Sequence, residues 1–194
     1  QHKAPHADVP SAEGGQVVSP AEIEAKLSEK KYAAITVTHV DTATGAVADI
    51  KAIGEVMKKF PETIYIVDGV AATAGEYENL QEMNIDVLCT ASQKAFGVCP
   101  GLLLLWANQK AMARRASLGV IPEYYCDFDK WVPIMDDPSK YFATPAINLV
   151  WAMKESVRLV KEEGLKARYE RHLKNARAMQ KALESMGFTL LAQE

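Results

Sequence analysis

The sequence predicts an α/β fold, a three-layer sandwich around a mostly parallel sheet of the doubly wound kind. Three observations carry this expectation. Short β-branched runs alternate along the chain with segments of helical period, the runs are apolar on both faces, and no internal repeat or low-complexity tract breaks the alternation. At 194 residues, 48% hydrophobic and 24% charged, the chain has enough apolar material to bury a core.

The elements follow in order. "SPAEIEAKL" predicts a helix from about residue 20, with Ser19 as cap, Pro20 at the first helical position and Glu22 closing a capping box. "AAITVTHV" (33–40) predicts a strand, and "DIKAIGEVMKKF" (49–60) a helix with Ile50, Ile53, Val56, Met57 and Phe60 on one face. "TIYIVDG" (63–69) is a buried strand, followed by a short helical stretch near 76–83 and strands at 85–91 and 101–107. A helix is expected at 108–117, then an irregular, aromatic, proline-broken loop over 119–143 of a length that usually serves function or subunit contact. "TPAINLVWAMKESVRLVKEEG" predicts a helix capped by Thr144 with Pro145 in its first turn. A second helix, 165–186, places Leu173, Ala176, Met179, Leu183 and Met186 on one face. The closing "GFTLLAQE" reads as a strand without a partner, so the polypeptide is expected to stop inside a domain.

A formal net charge of −3 gives no electrostatic reason to expect nucleic acid or an anionic membrane as partner. Cys89, Cys99 and Cys126 are odd in number and form no CxxC pair, which argues against a disulfide framework and a zinc site and fits a reducing, cytoplasmic compartment. No apolar run approaches the ~18 residues of a membrane span, and the polar start "QHKAPHADVPSAEGG" carries no signal-peptide core.

Ligands of open α/β sheets bind outside the carboxyl ends of the strands. Asp68 closes one predicted strand and Lys94 follows another, so both side chains can reach one rim. A lysine amine can hold an aldehyde as a Schiff base, and a carboxylate can keep a pyridine nitrogen protonated, which is the pair pyridoxal phosphate requires. A strand-end Asp-Gly is also a common turn, and a loop lysine a common solvated charge. Spacing alone leaves both readings open.

Four stretches in one order, "VTHVDTATGAVADI", "YIVDGVAATAG", "IDVLCTASQKAFGVCPGLLLLW" and "YFATPAINLVWAMKESVRLVKEEG", resemble the class V, fold-type I pyridoxal-phosphate aminotransferases, most closely the alanine–glyoxylate and serine–pyruvate branch. The resemblance implies that Lys94 is the cofactor lysine and that Asp68 partners the pyridine nitrogen. It further implies that Val70 packs on the ring, that Thr42 meets the phenolic-oxygen side and that Gln93 bonds on the phosphate side. Tyr141 and Thr144 resemble a pair that reaches the phosphate of a neighbouring subunit, which implies a homodimer. Asp41 stands at the acidic position of the "ETSTG"-like motif and is expected to leave that turn intact.

The family's glycine-rich phosphate turn and ring-stacking aromatic precede the matching region, and its substrate-binding arginine follows it. These residues are therefore expected to be the centre of a longer enzyme and inactive alone. Residues 1–144 would form the central part of the cofactor-binding large domain, and 145–194 the linking helices and the start of the small domain. The implied reaction moves an amino group between an alanine- or serine-type amino acid and a glyoxylate- or pyruvate-type 2-oxo acid. The alternatives are a cysteine desulfurase or other class V enzyme, or a non-catalytic fragment that supports assembly. Desulfurases resemble "SHK" where this chain has Gln93. Cys89 and Cys99 are expected to be small buried hydrophobes, and His39 a satisfied core or rim histidine with no metal-spaced partner. His2, His6 and His172 fall in polar stretches, and the basic runs read as solvated helix faces.

Overall fold

The computed structural model describes residues 8, 12 and 14–192, so His2 and His6 lie outside the described residues. Helix α1 (Pro20–Glu29) begins at the expected capping box: Ser19 Oγ accepts from the Glu22 amide at 3.2 Å, and Glu22 Oε2 accepts from the Ser19 amide at 2.8 Å. Helix α2 (Ile50–Met57) is capped by Asp49, whose Oδ1 accepts from the Ala52 amide at 2.9 Å. It ends three residues earlier than its apolar spacing suggests, and Phe60 still packs against the core from the following turn.

Strands β1 (Ala34–Thr38), β2 (Ile64–Asp68), β3 (Val87–Ala91) and β4 (Leu103–Ala107) form one sheet in that spatial order. β1, β2 and β3 are parallel, and β4 returns antiparallel to β3, so the sheet is mostly parallel. The order does not reverse within these four strands, unlike a doubly wound sheet. Tyr65, Val67 and Leu88 share one apolar cluster with Ile23 and Leu27 of α1 and Ile50, Ile53 and Met57 of α2. Ile64 and Val87 enter a second cluster with Ala111 of α3 (Gln109–Ser117). Alternate residues of β2 thus serve opposite layers, which is why the strand is apolar throughout. β1 departs from that pattern: Ile35 and Val37 meet the core, while Ala34, Thr36 and Thr38 are exposed. On β4, Leu103, Leu105 and Trp106 are exposed as well.

Tyr65 is fully buried; its hydroxyl donates to the Ile50 carbonyl at 3.0 Å and its amide to Asp86 Oδ2 at 2.8 Å. Asp86 also accepts from Asn108 and Lys110, so this buried carboxylate is fully engaged. Gly54 lets α2 lie on the chain at Met83: a Cβ there would sit 2.0 Å from the Met83 carbonyl oxygen.

Several expectations are corrected. Residues 76–83 form turns rather than a helix, because Asn79 Oδ1 caps the Gln81 and Glu82 amides for a single turn and Asn84, at φ 53°, ends it. The stretch 119–143 is not wholly irregular: α4 (Phe128–Asp136) forms behind an Asp127 cap, flanked by single 3-10 turns at Tyr124–Cys126 and Pro138–Lys140. Trp131 on α4 donates its indole N–H to the Tyr125 carbonyl at 2.7 Å and packs edge-on against Tyr125 and Phe142. Thr144 is not a cap: α5 (Ile147–Glu163) starts from the Ala146 carbonyl, with Pro145 one residue before it. Helix α6 (Leu165–Ser185) matches its expected range, yet none of its residues is buried, and Met179 and Met186 are exposed. Residues 188–192 form no strand, having no neighbouring strand to supply a ladder. Among the described residues no helix is long and apolar enough to cross a membrane.

Candidate active site

Because β1, β2 and β3 run parallel, their carboxyl ends share one edge of the sheet. Asp68 is the last residue of β2, paired across to Thr38 on one side and Cys89 on the other. Lys94 lies three residues beyond the end of β3. The structure therefore gives both residues the common rim that the sequence suggested.

Asp68 is half-buried, and its Oδ1 accepts the Val70 amide at 2.9 Å, which aims the carboxylate along the loop. Among the described residues no donor reaches its second oxygen. Lys94 and Gln93 are exposed, and no hydrogen bond or ion pair engages the Lys94 amine among the described residues. Lys110 shows the contrast: its ammonium is committed to the Thr63 carbonyl and Asp86, each at 2.7 Å.

The loop holding Lys94 is pinned from beneath. Ser92 is fully buried; its hydroxyl donates to the Cys99 carbonyl at 2.7 Å and accepts from the Leu102 amide at 3.3 Å. The Lys94 carbonyl accepts from the Gly97 amide at 2.8 Å, in a turn that needs Gly97 at φ 70°. Ser156 of α5 donates to the Phe96 carbonyl at 2.6 Å.

Thr42 is exposed in the turn that follows β1. Asp41 keeps that turn, as expected: its Oδ2 accepts from the Thr44 amide and hydroxyl at 3.0 and 2.6 Å, contacts that hold its carboxyl below the usual range. Tyr141 and Thr144 are exposed between α4 and α5, and no hydrogen bond or ring contact joins them to this rim among the described residues.

Three features escaped sequence reasoning. His39 is buried as expected, and its Nδ1 lies 2.7 Å from Oε1 of an equally buried Glu78, a carboxylate partner 39 positions away. Behind them, Glu78 Oε2 and Thr73 Oγ1 are buried without a hydrogen-bond partner among the described residues. Gly69 makes room for this group, since a Cβ there would stand 2.2 Å from Thr73 Oγ1 and 3.0 Å from Glu78 Oε1. The remaining two are Ser92 and Arg168. Only Ser92 left a local signal, a polar residue directly after an apolar strand.

Cys89 is half-buried, and burial, then the Asp68 charge, pushes its thiol up and keeps it protonated. Cys99 is exposed, contrary to expectation, because the loop turns it outward. All three cysteines are free, and no group of three metal-ligating side chains occurs among the described residues.

Burial, followed by the nearby Arg171 and Arg168 charges, pulls His172 below its ordinary value of 6.5. The folded chain then binds fewer protons there than the unfolded chain. Its contribution to stability is complete above pH 6.5 and is lost as pH falls through the lower folded value. Denaturation midpoints measured from pH 7.5 to 5 are expected to decline in wild type and to decline less in His172→Gln across that window.

A mostly parallel α/β sheet whose rim carries a carboxylate with one oxygen free and an unengaged amine has the layout of a pyridoxal-phosphate protein. Residues 3–194 match the sequence profile of class V aminotransferases, and the chain belongs to that family. It is 35% identical over 158 residues to alanine–glyoxylate aminotransferase 1 of Saccharomyces cerevisiae, an overlap of 77% of this chain and 41% of that protein. It superposes on ureidoglycine–glyoxylate aminotransferase of Bacillus subtilis with a TM-score of 0.88 at 29% identity, covering 94% of this chain and 47% of that one. For the alanine–glyoxylate aminotransferase of a Nostoc species the TM-score is 0.87 at 28% identity, covering 92% and 48%. The chain spans less than half the length of these relatives.

Family membership implies pyridoxal phosphate as cofactor. The residues present suit that group: Asp68 keeps an oxygen free to accept a ring N–H, and Lys94 keeps an amine free to condense with an aldehyde.

Proposed function

We propose that the full-length protein carrying this chain transfers an amino group from an alanine- or serine-type amino acid to a glyoxylate- or pyruvate-type 2-oxo acid. The observation that carries this reading is the common rim of Asp68, which keeps one carboxylate oxygen free, and Lys94, whose amine is unengaged. The names of the relatives, alanine–glyoxylate and ureidoglycine–glyoxylate aminotransferase, support the acceptor class.

Pyridoxal phosphate, when bound, supplies an aldehyde and an electron-withdrawing ring that stabilises negative charge at the substrate carbon. Lys94 would hold this group through its side-chain amine, and the same amine, when free, would take up and return the proton that the donor's α-carbon gives up. Asp68 would keep the ring nitrogen protonated through its free oxygen, while the Val70 amide fixes the other oxygen at 2.9 Å. The Val70 side chain would pack on the ring, Thr42 would meet the phenolic-oxygen side, and Gln93 would bond on the phosphate side. Tyr141 and Thr144 serve the phosphate of a second copy, which makes the protein a homodimer and gives the exposed aromatic segment its role. Residues 145–194 link to a smaller second domain. Three free thiols suit a reducing, cytoplasmic setting.

The test is an amino-transfer assay of the full-length protein with alanine, serine or cysteine as donor and glyoxylate or pyruvate as acceptor. Alanine or serine is expected to yield its 2-oxo acid together with glycine from glyoxylate. Release of sulfide from cysteine without amino transfer would replace this reading with a desulfurase.

A further inference from the structure

The loop after Asp68 and the loop holding Lys94 meet through one side chain. Arg168, near the start of α6, donates from Nε to the Ala74 carbonyl at 2.8 Å and from Nη2 to the Ala95 carbonyl at 2.5 Å. Its third nitrogen, Nη1, pairs with Glu163 Oε2 at 2.9 Å, and the side chain is only 14% exposed. Ala95 is the residue immediately after Lys94. Ala74 lies six residues beyond Asp68, inside the turn that Asp68 opens.

Two independent features show that the junction is built. Ala74 has φ 69°, a left-handed conformation that is strained for a residue with a Cβ and persists only when its surroundings impose it. The Arg168 bond to its carbonyl is such an imposition. Next to it, a Cβ on Gly75 would reach 3.4 Å from the Ala95 Cβ, so the two loops already lie in contact at this point. Glu163 is itself clamped by Arg171 as well as Arg168, and these cations hold its carboxyl down to about 2, with the Arg171 bond the larger cause. Arg168 is therefore anchored at one end and bonded to both loops at the other.

We infer that Arg168, held by Glu163, is a positioning residue that locks the Asp68 loop to the Lys94 loop and so sets the span between carboxylate and amine across which the cofactor ring lies. This rests on the proposed cofactor role of Lys94. A planar guanidinium can serve two carbonyls at once from fixed directions, whereas a lysine ammonium is a single point donor on a flexible stem. Misplacing reacting groups by about 1 Å costs on the order of 10²-fold in rate, so a loosened junction reaches chemistry without any contact to substrate.

The test uses the full-length protein as wild type, Arg168→Ala and Arg168→Lys. In the cofactor-free proteins, amide hydrogen exchange is expected to rise together in 70–76 and 93–97 of both variants and to stay unchanged in β2. With pyridoxal phosphate added, covalent capture at Lys94 on borohydride reduction, read by peptide mapping, is expected to slow by about tenfold or more in both variants. The half-reaction should lose kcat with KM little changed, and methylguanidinium should restore capture in Arg168→Ala, a rescue that a merely structural role would not give. Wild-type capture rates in a variant with normal Lys94 labelling would overturn the role of Arg168 while leaving that of Lys94 intact. Absence of any Lys94 label in wild type would overturn both. If Arg168→Ala does not fold, Arg168→Lys decides: unchanged exchange and capture there contradict the inference.

Discussion

Lys94→Ala in the full-length protein is expected to abolish the visible absorbance that pyridoxal phosphate gains on binding and to slow amino transfer by at least ~10³-fold, since covalent attachment and proton transfer are lost together. The fold gives little reason for stability to change. The Lys94 side chain is exposed and bonds to nothing among the described residues, while its loop is held by Ser92, Ser156 and Gly97. Lys110→Ala is the contrasting case. It removes the cation from buried Asp86 and is expected to destabilise the protein while leaving cofactor absorbance in the molecules that remain folded. Retained absorbance in Lys94→Ala, with the substituted protein folded, would reject Lys94 as the cofactor lysine.

Asp68→Asn is expected to lower amino transfer by about 10²-fold or more, the scale seen when one preorganised electrostatic partner of a reacting group is removed. An amide oxygen can still accept the Val70 amide, so the turn after β2 is expected to persist and the melting temperature to change little. What disappears is the negative charge that favours a protonated ring nitrogen. The signature is therefore chemical rather than structural: the variant still captures the cofactor at Lys94 but turns over slowly, and Asp68→Glu recovers part of the rate. Full activity in Asp68→Asn would remove Asp68 from the mechanism. Loss of capture together with unfolding would assign it to stability instead.

The parts of the fold legible in the sequence are those whose cause is local. Ser19, Pro20 and Glu22 specify the start of α1 within four residues of one another, and the apolar run "TIYIV" is a strand because both layers need its side chains. Local cues misled where a short-range signal was stronger than its context. Pro133 reads as a helix breaker, yet it sits within α4, where Asp127 caps and the ring of Trp131 packs on its neighbours. A short helical stretch is expected near 76–83, but the chain there pairs Glu78 with His39 and forms turns that end at Asn84. Thr144 precedes Pro145 just as the capping Ser19 precedes Pro20, yet α5 is entered from Ala146, two residues further on.

The rim itself was legible because Asp68 and Lys94 each follow a recognisable strand. The contacts that hold it were not, since they join distant positions. Arg168 reaches back 94 residues to Ala74 and 73 to Ala95, and Ser156 reaches 60 to Phe96. No spacing rule connects residues so far apart. Their alignment depends on how α5 and α6 return to the sheet edge.

The central claim is that Lys94 is the residue that holds the cofactor, and borohydride reduction of the full-length protein with pyridoxal phosphate, followed by peptide mapping, tests it most directly. A single reduced adduct on the peptide containing "SQKAFG", absent from Lys94→Ala, is the expected result. An adduct confined to other lysines, or no adduct on a folded protein, would contradict it.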